Sequence, residues 1–212
     1  MIDKTMSVGK TPPSELKACR TAAIVIDMQN DFVHPDGYVA RKGGDVTPVI
    51  GTVQKIKSLL LELRNRSVRV IFTRTIHYQY SDSKVWLSRS AEKIRDSGIC
   101  RPGTWGSEII DELRPQENDI VIVKHRYDAF LGTDLEIILH SQGIENLLVV
   151  GTQTNACVDS TARHAFMIDI NTIIVSDCVS TPDKDLHWPI LQNFHKNFGY
   201  VADSAEVIKM IR

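Results

Sequence analysis

Short unbroken apolar runs punctuate this chain, and between them lie stretches with apolar residues three and four apart. The first run, residues 21–28 (TAAIVIDM), is closed by the polar cluster Gln29-Asn30-Asp31. A brief apolar run ended by polar residues predicts a strand buried on both faces. Gly37, Gly43 and Gly44 then mark a loop. Over residues 47–66, Val49, Ile50, Val53, Ile56, Leu59, Leu60 and Leu63 share one helical face, which predicts an amphipathic helix. Further strands are predicted at 68–73, 119–124, 147–150, 171–176 and 200–202. Helices are predicted at 107–113, capped by Ser107, and at 134–141, capped by Thr133 and closed by Gly143. Another starts near Ala156 and should bury Val158, Ala162, Ala165 and Phe166, and two more cover 183–197 and 204–211. Residues 74–101 are the least regular. A short helix is expected over 84–95, in a segment long enough to form a lid or binding loop.

Strands alternating with helices of this length imply an α/β fold. The expectation is a three-layer α/β/α architecture around a mostly parallel, Rossmann-like central sheet of about six strands. No composition break divides residues 21–212, so they are read as one domain. Residues 1–20 are read as a polar leader running over the surface. In open parallel sheets, chemistry sits beyond the C-terminal ends of the strands. Three reactive side chains fall there: Asp27 ends the first strand, Lys124 the third, and Cys157 follows the fourth. A thiol at a helix start should have a depressed pKa, because the unpaired N–H groups there favour negative charge. A nucleophile, a proton carrier and a cation on one sheet edge form a working set for acyl transfer.

Composition excludes other classes. The 25 basic and 26 acidic residues leave a formal net charge of -1, which gives no electrostatic case for nucleic acid or an anionic membrane. No apolar run approaches the roughly 20 residues that span a bilayer. The four cysteines, Cys19, Cys100, Cys157 and Cys178, show no CxxC or metal-like pairing. Reduced thiols in a cytoplasmic protein are the simplest account. The first strand runs into Asp27-Met28-Gln29-Asn30-Asp31 rather than GxGxxG, which argues against a dinucleotide-binding oxidoreductase.

Three blocks carry a family resemblance: AAIVIDMQNDF (22–32), VIVKHRYDAFLGTDLE (121–136) and VVGTQTNACVDSTARHA (149–165). In order and spacing they resemble the isochorismatase-like cysteine hydrolases, a superfamily that includes nicotinamidase, N-carbamoylsarcosine amidohydrolase, biuret hydrolase and ureidoacrylate amidohydrolase. The resemblance implies a catalytic triad of Asp27, Lys124 and Cys157. It also implies a cis peptide at Thr152–Gln153, in a loop with Ala156 that aims backbone N–H groups at an oxyanion. Nicotinamidases carry a metal site after the second strand. Here His77 fits that pattern, but Thr75 stands in place of the carboxylate and no histidine occurs between residues 78 and 124, so no metal is expected. Cys157 speaks against the vinyl-ether chemistry of siderophore-type isochorismatases, which lack that nucleophile.

Two stretches, residues 31–46 and 103–136, look like the ureidoacrylate and biuret hydrolase branch. The implied function is metal-independent, cofactor-free cleavage of a C–N bond in a small ureide or carbamoyl amide through a thioester. The alternatives are a nicotinamidase-like or other small-amide hydrolase, a vinyl-ether hydrolase, and a non-catalytic binding module. Gln29, Trp105, Tyr127 and Phe130 are candidates for the substrate pocket, with Asn155 beside the nucleophile. The resemblance further implies a homo-oligomer, dimer or tetramer.

Overall fold

The computed structural model describes residues 13–88 and 98–212. Strands β1 (Thr21–Ile26), β2 (Arg69–Thr75), β3 (Ile120–Lys124), β4 (Asn146–Thr152), β5 (Asn171–Ser180) and β6 (Tyr200–Ala202) form one sheet. Their order is β3-β2-β1-β4-β5-β6, and every neighbouring pair is parallel. The chain winds outward from β1 to β3, then crosses back to lay β4 on the other side of β1. The C-terminal ends of β1 and β4 therefore flank the point where winding reverses, where such sheets open a crevice.

The helices are α1 (Asn30–Val33), α2 (Tyr38–Arg41), α3 (Thr47–Asn65), α4 (Lys84–Ser88), α5 (Leu135–Ser141), α6 (Asp159–Met167), α7 (Lys184–Asn197) and α8 (Ser204–Met210). Two apolar layers cover the sheet. On one face Val49, Val53, Ile56, Leu60 and Leu63 of α3 and Val207 of α8 pack on Ala23, Val25, Val70 and Phe72. On the other face Leu135 and Leu139 of α5, Ala162 and Ala165 of α6, and Leu191 and Phe194 of α7 pack on Ile24, Ile26, Ile71 and Val149. The β1 and β4 side chains are buried throughout, so their sequences read as continuous apolar runs with no alternation.

Several local expectations are corrected. The polar cluster after β1 opens α1, and the glycine-marked loop contains α2. The helix expected over 107–113 is instead two 3-10 turns, Trp105–Ser107 and Asp111–Leu113. The helix after β4 begins with a π-type turn, Thr154–Val158, before α6. Phe166 is 38% exposed rather than buried, edge-on to Phe198. β5 runs on to Ser180 past a register irregularity between Val149 and Gly151. Its polar Asp177 hides that continuation in the sequence, yet Asp177 is satisfied by the N–H and hydroxyl of Ser204, both at 2.8 Å. The leader is tied down near its end: Leu16 is buried in the core and pairs with Ile211. Residues 1–12, and the part of the expected 84–95 helix that falls within 89–97, lie outside the described residues. No helix among the described residues is long and apolar enough to cross a membrane.

Candidate active site

The ends of three strands bring Asp27, Lys124 and Cys157 together. Asp27 lies one residue past β1 with φ +48, a left-handed conformation that Asp and Asn tolerate better than most residues. The turn directs its carboxylate across the tip of β2. Thr73 and Thr75, two apart on β2 and hence on one face, donate hydroxyl hydrogen bonds to its two oxygens at 2.7 and 2.9 Å. The Asp27 N–H in turn donates to the Thr73 hydroxyl oxygen at 3.1 Å. Lys124 sits opposite Thr75 in the β2–β3 register, and its ammonium is 2.7 Å from Asp27 Oδ2. The same ammonium donates to the Arg126 carbonyl at 2.8 Å and to Cys157 Sγ at 3.4 Å. All three of its hydrogens are thereby directed.

Both charged groups are buried. Burial works against the Lys124 ammonium, but the Asp27 carboxylate and the Cys157 sulfur outweigh it, so its pKa lies above the ordinary lysine value. Cys157 departs from its expected behaviour. Burial pushes its thiol up to about 12, and the Asp27 carboxylate adds to this against the opposing pull of Lys124. The thiol is buried at the fourth position of the π-type turn, and loss of solvent outweighs any helix-end effect. Cys157 thus rests protonated beside a carboxylate that can take its proton.

Cys157 and Asp27 line a cavity of about 450 Å³. Thr152, Gln153 and Ala156 of the nucleophile loop line it too. The Thr152–Gln153 peptide is cis. Gly151 precedes it at φ +112, where a Cβ would lie 2.2 Å from the Ile26 carbonyl oxygen, so only glycine lets β4 pass this close to β1. The Ala156 N–H donates to the Gln153 carbonyl at 3.1 Å. The rest of the lining includes Tyr38 and Val39 from α2, Lys42 just after it and Trp86 from α4, with His77, Arg126 and Tyr127 just past strand ends.

Of the expected pocket residues, Tyr127 lines the cavity, and four others do not. Gln29 is fully buried as a brace: its Nε2 donates to the carbonyls of Thr75 and Ser107 at 2.9 and 2.8 Å, and its Oε1 accepts from the Thr75 N–H at 2.7 Å. Trp105 is 51% exposed and meets His34 edge-on. Phe130 is buried and stacks on His164 at 4.7 Å. Asn155 accepts from the Thr181 hydroxyl at 2.7 Å. Thr73 and Thr75 went unrecognised as partners of Asp27, although alternate threonines at the end of β2 were a visible signal. Trp86, Lys42 and Arg126 gave none. Among the described residues no three His, Cys, Asp or Glu side chains gather as a metal site would require.

Comparison with known proteins places the chain among hydrolases of one family. The isochorismatase domain model matches residues 21–206. The ureidoacrylate amidohydrolase RutB of Agrobacterium fabrum strain C58 is 33% identical over 207 residues, covering 92% of this chain and 91% of the relative. A cysteine hydrolase from Pseudomonas syringae pv. phaseolicola 1448A superposes with a TM-score of 0.82 at 29% identity, covering 95% of each chain. An N-carbamoylsarcosine amidase from Thermoplasma acidophilum superposes with a TM-score of 0.71 at 26% identity, covering 87% of this chain and 96% of that one. With the family model spanning the whole sheet, the chain belongs to the isochorismatase family.

Proposed function

We propose that this protein is a cysteine amidohydrolase that cleaves a C–N bond in a small ureide or carbamoyl amide. The observation that carries this reading is the buried Lys124 ammonium, 2.7 Å from Asp27 and 3.4 Å from Cys157, two residues that line a cavity sized for a small molecule. The relatedness to ureidoacrylate amidohydrolase and N-carbamoylsarcosine amidase supports the substrate class.

The thiol gives its proton to Asp27, and the sulfur attacks the carbonyl carbon. Lys124 stabilises both the thiolate and the carboxylate. Negative charge moves to the carbonyl oxygen, which rests on backbone N–H groups of the loop containing Gln153, Ala156 and Cys157. Asp27 returns the proton to the leaving nitrogen as the C–N bond breaks, and ammonia or an amine departs. Asp27 then takes a proton from water, whose oxygen attacks the thioester carbon. The C–S bond breaks and the sulfur regains its proton. For a ureide the product is a carbamate, which loses carbon dioxide. Nucleophile, base and acid all come from the chain, so no metal or cofactor is assigned a step.

The same reading takes residues 21–212 as one catalytic domain, working in the cytoplasm as a homo-oligomer. Four free cysteines support a reducing compartment, and the family resemblance supports assembly. Cys157→Ala should lower ammonia release from ureidoacrylate, biuret or N-carbamoyl amino acids by about 10⁴-fold or more, with the circular dichroism spectrum unchanged. Turnover near the wild-type rate in that variant would sink the reading.

A further inference from the structure

Two cations line the cavity and take no part in the chemistry above: Lys42, just after α2, and Arg126, two residues past β3. Among the described residues Asp27 is the one acid in the lining, and Lys124 already neutralises it. Asp82, which lies 3.2 Å from the cavity-lining His77, is answered by Arg101 at 2.9 Å. The balance of the lining is therefore positive, and a concave wall of one sign concentrates ligands of the other.

Arg126 is the more firmly held of the two. One terminal nitrogen donates to the His125 carbonyl at 2.7 Å and the other to the Ser81 carbonyl at 2.9 Å. The guanidinium lies 4.9 Å from the Trp86 ring centre. Both carbonyl partners are neutral, so they orient the charge without cancelling it. A guanidinium has five N–H donors in a fixed fork, so each terminal nitrogen keeps a hydrogen for a planar anion. The Arg126 carbonyl accepts from Lys124 at 2.8 Å, so the main chain that carries the fork is tied to the catalytic ammonium. Lys42 is exposed, and its ammonium lies 5.8 Å from the ring centre of Tyr38, one helical turn earlier.

Resting on the amidohydrolase reading, we infer that Arg126 and Lys42 form a carboxylate subsite, and that the substrate is an acidic ureide. Its carbamoyl group meets Cys157, and its carboxylate takes the Arg126 fork, with Lys42 as a second, outer charge. The reaction itself does not account for these cations. The oxyanion is transient and rests on the loop N–H groups, whereas a standing positive wall matches a charge present before reaction begins. Phe32, Val39 and Ile99 in the same lining offer a neutral polar tail no partner. A carboxylate on the substrate meets both requirements: it is planar, as the fork demands, and it brings the charge that the cavity lacks.

The test uses the intact enzyme with ureidoacrylate, its methyl ester and biuret, read as ammonia release at low and high salt. Wild type should prefer the acid to the ester by about 30-fold in kcat/KM, mainly through KM, the scale of a charged hydrogen-bonded contact. The preference should shrink as salt screens the wall. Arg126→Gln should lose most of the preference, and Arg126→Lys, which keeps the charge without the fork, should recover part of it. Lys42→Glu changes an exposed side chain and serves if the Arg126 variants fail to fold. It should cost about tenfold in kcat/KM on the acid and leave the ester and biuret unchanged, whereas damage to the wall would lower all three alike. An acid used no better than its ester, or a Lys42→Glu effect shared by all three substrates, overturns the subsite. Turnover still dependent on Cys157 then leaves the amidohydrolase reading standing. Absence of Cys157-dependent turnover of all three overturns both.

Discussion

The floor of the cavity hangs on the sheet, and its wall hangs on the segments between strands. Asp27, Lys124 and Cys157 are each within a few residues of a strand end, and parallel pairing fixes their separation. The wall draws on α2, α4 and the chain past β2 and β3, held by side-chain bonds to main-chain atoms. Asp31, for example, accepts from the N–H groups of Tyr38 and Cys100 at 3.1 and 2.6 Å. On the proposed reading, reactivity is thus set by elements that cannot shift without unmaking the core, and the choice of substrate by short elements with little core of their own.

The largest test of this division is at Lys124. Lys124→Met leaves the Asp27 carboxylate buried without its cation, which should cost about 3–5 kcal/mol of stability in urea titration and abolish turnover. A stable, active variant would mean that the floor does not depend on the ion pair. Gln29→Leu is the next largest. It strips three bonds from the brace between β2 and Ser107, and a loss of about 2–4 kcal/mol is expected. KM should change little among molecules that still fold, because Gln29 does not face the cavity. A large KM effect at full stability would move it from brace to wall. The smallest effect is in reactivity with pH. Iodoacetamide inactivation should keep accelerating above pH 9.0, since burial holds the Cys157 thiol near 12. The linkage has a definite sign: the unfolded thiol ionises first, so this group's contribution to stability is full below 9.0 and lost as pH rises toward about 12. A rate that levels off near pH 8 would show a thiolate already present at rest.

The same division decides what could be read from the sequence. Strand ends are legible because an apolar run stops there, so Asp27, Lys124 and Cys157 were placed from pattern and spacing alone. The state of the thiol was not, because burial depends on the packed surroundings of Cys157 and not on its place in the chain. Phe130 and Asn155 stand close in sequence to Lys124 and Cys157, yet neighbouring packing turns them away: Phe130 lies against His164 and Asn155 is held by Thr181. Gln29 was expected at the substrate pocket and is a brace instead, because a buried amide brace and a substrate ligand look alike in a sequence. His77 was visible as a strand-exit histidine. Its partner Asp82 was not, because no helical or strand period links the two.

The left-handed turn at Asp27 also bears on what evolution is free to try. Of the two carboxylic amino acids, the shorter one tolerates that left-handed backbone better. The main chain therefore favours Asp over Glu before any proton has moved. A lineage that wanted a longer-reaching base would have to rebuild the exit of β1 first, and with it the seat of Thr73 and Lys124.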